Sequence, residues 1–378
     1  MRSFVVMLVL CTALTAGARP IVVPGEHTYL DEIVPGSPPD TSWVTETLNS
    51  IQDGVDLAIM LTYEHPLAGN GYPGFSDTVL VMPGRYDSVL SYYTPVGWRS
   101  AIVSISRNVV LIGEDRSDVE IDFTQADYGI LCQGVNDSTL ISELTIDGGA
   151  SKDRGPADDG DGRLLAAGIC CLDAASPVIS KVDIEGGSTG IVVRTQPGSE
   201  PSAPSIRQVV VARGSHHGIY VYENGPEPVS IYRCTLVDNF DYGVYVSGGN
   251  AEINSCAITH NGKNGVYGYL AVPSVTYSNL FLNDQIFPDQ IEGPQNYGGT
   301  LDDLTEVDGN ISKEPYYCDY FGSSGYDYHV CVSDPPSPHI GAGEGGVMIG
   351  AYNATCSGCG ETPVQHSSWG AIKAMYGD

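Results

Sequence analysis

The chain has 378 residues, with 46 Gly and 24 Pro, and its 46 acidic against 17 basic side chains set the formal charge at −29. A field of that sign repels phosphate backbones and anionic lipid, which excludes nucleic acid and acidic membrane surfaces as natural partners and disfavours polyanions wherever no local basic patch intervenes. The Gly and Pro content favours turns and short strands over long helices.

Residues 1–18 read as an export signal. Arg2 supplies the positive start, residues 4–14 are apolar, and Ala16-Gly17-Ala18 offers small residues for cleavage after Ala18. The apolar run is too short to span a bilayer. Cys11 lies inside it behind Leu10, a poor setting for lipid attachment. No transmembrane segment follows, so the mature chain is expected to be secreted or held at the cell surface, in an oxidising compartment. Val44, Leu48, Ile51, Val55 and Ile59 follow helical spacing and predict an amphipathic helix within 41–60. Short strands are predicted at 78–82, 103–105 and 109–112.

From Gly129 onwards the chain repeats. A Gly followed by an aliphatic recurs at Gly129-Ile130, Gly168-Ile169, Gly190-Ile191, Gly218-Ile219, Gly243-Val244 and Gly265-Val266. Two residues on, Cys132, Cys171, Val193, Val221 and Val246 return to the same side of a strand. A second block keeps stricter register: Ile141, Ile179, Ile206, Ile231, Ile253, Val275; then Leu144, Val182, Val209, Cys234, Cys256, Ser278; then Ile146, Ile184, Val211, Leu236, Ile258, Leu280. The column that follows is Gly149, Gly187, Gly214, Asn239, Asn261, Asn283. Only Gly and Asn occupy it, so a left-handed turn is expected there, with Asn side chains bonding from coil to coil. The shortest repeats span one coil of a β-solenoid, each adding about 4.8 Å of height. The fold expected is all-β, a right-handed parallel β-helix over 19–352 with regular coils at 129–283, an N-terminal amphipathic capping helix and an irregular C-terminal cap.

The outward positions of the strands carry the candidate site. Tyr220, Tyr245 and Tyr267 fall in one outward column, with Tyr222 and Tyr269 two residues further on, and His216 and His217 lie beside them. Aromatic faces with hydroxyl rims suit sugar rings; a ladder that merely stiffens the sheet is the competing reading. Cys170 is expected to face outward without a partner. Two insertions, 150–166 and 195–204, are expected to wall this face. The first carries Asp158, Asp159 and Asp161, whose carboxylates would either bind Ca2+ or form a solvated loop. The one other metal reading is a zinc site from Cys356, Cys359 and His366, which an oxidising compartment disfavours against disulfides.

Nine cysteines remain after the signal. Cys132 with Cys171, and Cys234 with Cys256, share columns and are expected as buried free thiols. Cys318, Cys331, Cys356 and Cys359 are expected as disulfides, paired Cys318–Cys331 and Cys356–Cys359. Residues 353–378 form a Cys-containing linker and a tail ending in a short amphipathic stretch.

Ser50-Ile51-Gln52-Asp53-Gly54-Val55-Asp56, then Asp77-Thr78-Val79-Leu80-Val81-Met82-Pro83-Gly84-Arg85-Tyr86 and Asn108-Val109-Val110-Leu111-Ile112-Gly113, resemble the opening of bacterial secreted right-handed β-helix proteins. Ser337-Pro338-His339-Ile340-Gly341-Ala342-Gly343 and Ile349-Gly350-Ala351-Tyr352 resemble that family's closing strand. The resemblance, to the pectin-lyase-like superfamily, covers about 44–352 and implies the fold; that superfamily hosts lyases, hydrolases and adhesins alike. Its catalytic motifs do not carry over. Ser215-His216-His217-Gly218 is a partial echo of one of them, Arg194 stands alone in the repeat columns, and no aligned Asp pair is evident on a strand. The functional expectation is a non-catalytic carbohydrate-binding or adhesive scaffold with a polysaccharide or surface glycan as partner; the alternative is a polysaccharide lyase or glycoside hydrolase in the same groove.

Overall fold

The structure, a computed structural model, describes residues 19–23, 50–59, 75–94, 97–149, 166–196, 198–283, 296–319, 327–333 and 335–357. The signal segment, the loop with Asp158, Asp159 and Asp161, Cys359 and the tail lie outside the described residues.

Alternating aliphatics with short spacers build stacked parallel strands. Among the described residues one sheet has nine strands, parallel except for an antiparallel strand at one edge, and a second has fifteen, all parallel. One coil is represented by Ile219–Tyr222 in the first sheet and by Val229–Tyr232 and Thr235–Val237 in the second. Register is strict: Ile191, Ile219, Val244 and Val266 are successive partners, as are Ile179, Ile206, Ile231, Ile253 and Val275. These columns, with Cys132, Cys171, Cys234 and Cys256, fill one continuous core and are fully buried. Each such aliphatic contributes about 1.5–3 kcal/mol, but only against neighbouring coils. The architecture is the right-handed parallel β-helix that the repeat predicts.

The coil corners differ from the sequence expectation. Gly149 and Gly187 have positive φ, but Gly214, Asn239, Asn261 and Asn283 do not; the left-handed residue is the one before, Arg213, Asp238, His260 and Leu282. A second left-handed column, Glu143, Lys181, Gln208, Arg233, Ser255 and Tyr277, bends the fifteen-stranded sheet and contains no glycine. The Gly/Asn column works instead as a hydrogen-bond ladder. Asn239 Nδ2 donates to Asn261 Oδ1 (3.0 Å), Asn261 Nδ2 to Asn283 Oδ1 (2.9 Å), and Asn283 Nδ2 to Asn296 Oδ1 (2.9 Å). The same Oδ1 atoms of Asn239, Asn261 and Asn283 accept the backbone N–H of the coil before, from Gly214, Asn239 and Asn261. All three are buried, so the corner amides are satisfied without water.

Residues 51–59 form the expected helix, Ile51–Ile59, with Ile51, Val55 and Ala58 turned into the core. Ser50 and Asp53 bond each other's backbone N–H, a reciprocal cap at its start. Gln52 closes the nearby sheet edge: its Nε2 donates to Ser104 O and its Oε1 accepts Ser104 N–H. At the far end Leu301 and Leu304 pack against the last coils.

The segment beyond them packs on the side of the coils. Tyr317–Asp319, Asp327–Ser333 and Ala354–Ser357 form a three-stranded sheet. Tyr317, Tyr328, Val330 and Ala351 pack laterally on the outer faces of Val210, Ala212 and Val237. His339 and Lys313 bond Asn279, Ala351 N–H donates to Thr235 Oγ1 (3.0 Å), and Tyr352 reaches Asp183. The described residues 313–319, 327–333 and 335–357 therefore lie along the side of the helix as a strap. Its disulfide is Cys318–Cys356, which corrects the expected Cys318–Cys331 and Cys356–Cys359 pairing. Cys318 and Cys356, on the two outer strands of the three-stranded sheet, have a Cα separation of 5.8 Å, within the range a disulfide spans. Cys331 is also disulfide-bonded. Cys132, Cys170, Cys171, Cys234 and Cys256 are free and buried.

Candidate functional site

The strands Ile219–Tyr222, Val244–Ser247 and Val266–Tyr269 place Tyr220, Tyr245 and Tyr267 directly above one another on the outer face. Tyr220 and Tyr245 stack, with centroids 5.2 Å apart and planes within 8°; Tyr267 meets Tyr245 at 5.6 Å and 62°. Each ring is half-buried. The first two spend a face on each other.

The turns entering these strands supply a second layer that sequence reasoning did not assemble. His217 is buried and touches Tyr220, Tyr242 and Tyr245 at 5.3–5.5 Å. Burial pushes its pKa down to about 3, so its imidazole is neutral. Asp241 lies 3.9 Å from His217 Nδ1 and is held by Lys263 Nζ at 2.6 Å; that ammonium also sits over the Tyr242 ring at 5.3 Å. His216 is half-buried, with its Nδ1 3.1 Å from Ser188 Oγ, and burial lowers its pKa. Arg194 stacks over Tyr222 at 5.1 Å, and Tyr269 is exposed. The structure thus brings Tyr220, Tyr222, Tyr245, Tyr267, His216 and His217 together and adds Tyr242, Asp241, Lys263 and Arg194. Asp241, Tyr242 and Lys263 sit in turns, one or two residues before the repeating Gly243 and Gly265, and Arg194 ends the strand Thr189–Arg194.

In earlier coils the tyrosine column continues as Val192, Cys170 and Leu131. These three are buried in a separate apolar cluster against which Tyr92 and Tyr220 pack. Cys170 is outward, as expected, but covered, and burial pushes its thiol pKa up. The stripe begins where that cover ends.

The fifteen-stranded sheet holds carboxylates the sequence reading did not align. Asp122, Asp147 and Glu185 are successive partners, as are Glu120, Thr145 and Asp183. Arg85 binds Glu120 (2.7 Å) and Asp122 (2.5 Å), Arg213 binds Glu185, and Arg116 lies 3.4 Å from Asp183. Burial raises the pKa of Glu120. At Asp122 burial pushes the same way but is outweighed by hydrogen bonds from Thr124 and Arg85, leaving that carboxyl below its usual range. The two lie on one strand face with opposite shifts. Among the described residues no group of three or more His, Cys, Asp or Glu is placed to hold a metal ion, and no helix is long and apolar enough to cross a membrane.

A search of the curated proteins finds no match. Residues 99–258 match the family model described as the right handed beta helix region, the stretch that runs from the first outward-facing apolar cluster into the tyrosine ladder.

Proposed function

We propose that the protein is an exported or cell-surface β-helix scaffold that binds carbohydrate on the outer face of its nine-stranded sheet without cleaving it. The observation that supports this is the braced tyrosine ladder. Stacked, half-buried rings with a hydroxyl rim offer C–H edges and hydrogen bonds together, and the nearest carboxylate, Asp241, is already neutralised by Lys263. Such a surface is suited to recognition, the acid beside its rings being held in an ion pair. A glycan array combined with a reducing-sugar assay tests it: binding without product is expected, and failure to bind any glycan removes the proposal.

A second reading rests on Glu120 and Asp122. Two carboxylates on one face with pKa values pushed apart fit the division of labour in glycoside cleavage. Release of reducing ends that is lost in Glu120→Gln would favour this reading over the first.

A further inference from the structure

We propose that Tyr93 and Trp98, paired across the hairpin formed by Leu90–Thr94 and Gly97–Ile105, are a stacking platform for an uncharged polysaccharide. The inference rests on the carbohydrate-binding reading above and adds a contact separate from the tyrosine ladder.

The hairpin is the antiparallel exception in an otherwise parallel sheet. Coil stacking requires only Gly97–Ile105, which pairs with Tyr128–Gln133; the added strand Leu90–Thr94 is an elaboration at the sheet edge. Tyr93 and Trp98 are direct cross-strand partners, edge to face with centroids 5.7 Å apart. They are 71% and 69% exposed, more than any other aromatic ring among the described residues. The ladder tyrosines are half-buried against one another; Tyr93 and Trp98 leave most of their ring surface open to solvent.

The platform is fixed from behind. Strand alternation turns Tyr92 the other way, where it packs against the buried cluster of Leu131, Cys170 and Val192. Burial there pushes its hydroxyl pKa up to about 12, the nearby Asp56 adding to the effect. Thr94 is fully buried. A hairpin anchored on one face and aromatic on the other presents its rings without ordering cost at the moment of binding.

Charge selects the class of ligand. Residues 88–113 contain no Asp or Glu, and two Arg, in a chain with 46 acids. The hairpin itself therefore contributes no carboxylate; the acids near it are Asp56, close to Tyr92, and Asp127, which is bonded to Ser100, while the net charge of −29 keeps polyanions away. Sugar rings offer flat C–H faces to the two exposed rings, while Arg99, the cross-strand partner of Tyr92, belongs to the anchored side.

The test uses the full mature chain in affinity electrophoresis against cellulose derivatives, xylan, mannan and starch. Trp98→Ala and Tyr93→Ala are expected to weaken binding at least tenfold with unchanged circular dichroism and melting temperature, whereas Trp98→Phe keeps most of it. Trp98→Thr, a good strand former, replaces Trp98→Ala should the latter misfold. Wild-type binding that both alanine variants retain would overturn the platform and leave the carbohydrate reading intact. Absence of wild-type binding to every probe would remove both. A concentration-dependent dimer in sedimentation that Trp98→Ala abolishes would assign the tip to a second copy of the chain and overturn the proposal.

Discussion

The Asn261 side chain takes part in four buried hydrogen bonds. Its Oδ1 accepts from the amide and side chain of Asn239, and its Nδ2 donates to Leu236 O and Asn283 Oδ1. Removing it orphans buried donors and acceptors on two neighbouring coils at about 1–3 kcal/mol each. Asn261→Ala is therefore expected to destabilise by about 3 kcal/mol or more in urea unfolding, and a cost below about 1 kcal/mol would show the ladder to be incidental. Histidines carry the acid response. Burial lowers the pKa of His217 and His339 to about 3 and of His260 to about 4. His339 Nε2 accepts from Asn279 Nδ2 at 2.7 Å, a bond that a proton would break. The unfolded chain takes up these protons near pH 6.5, the folded chain only near 3–4, so stability is whole above about 6.5 and falls as pH drops through that window. The melting temperature should decline from pH 6.5 to 4, less steeply in His339→Gln; parallel curves would exclude His339 as a contributor. Identical residue types at fixed spacing made the Asn ladder legible. The left-handed corners at Arg213 and Arg233 were not, because residues with no preference for that geometry occupy them and only the stack enforces it.

At the scale of elements, the coils were legible because each repeats its inward aliphatics, and the strap was not because it repeats nothing. Its Tyr317, Tyr328 and Val330 have no periodicity, and the sites that receive them, Val210, Ala212 and Val237, read in sequence as ordinary strand residues. The carboxylate column was missed for a related reason: register was followed through apolar positions, whereas Asp122, Asp147 and Glu185 align only once Val119–Asp122 is placed beside Leu140–Asp147. The strap is held by a clasp in which the Tyr352 ring lies between His329 (4.2 Å, stacked) and Arg116 (4.3 Å), its hydroxyl donating to Asp183. Cys318–Cys356 closes a 38-residue separation, worth about 4 kcal/mol by loop entropy. Cys318→Ser with Cys356→Ser should raise amide exchange in Asp327–Ser333 and Ala354–Ser357 while the strands of residues 129–283 stay protected. Equal loss of protection throughout would mean that strap and coils form one cooperative unit.

For the molecule as a whole, the nine-stranded sheet sets the site's layout. The hairpin strand Leu90–Thr94 lies at one edge of that sheet and the tyrosine strands lie towards the other. With about 4.8 Å between neighbouring strands, a chain-like ligand touching both would lie along the helix axis, across the coils and not along a strand. The fold class was legible from the repeat alone, whereas the activity was not, since a solenoid dictates its interior and leaves the outer face free to vary.

The strap also divides the folding reaction in time. Ladder bonds between coils join residues 22 apart in sequence, so the body assembles by short loop closures, one coil templating the next. The strap closes separations of 89, 116 and 169 residues, and its landing surface exists only after the coils are stacked. Refolding of the disulfide-free chain should show two kinetic phases, an early one in coil protection and a later one in burial of Tyr317 and Tyr328. A single phase seen by both probes would exclude this order of events.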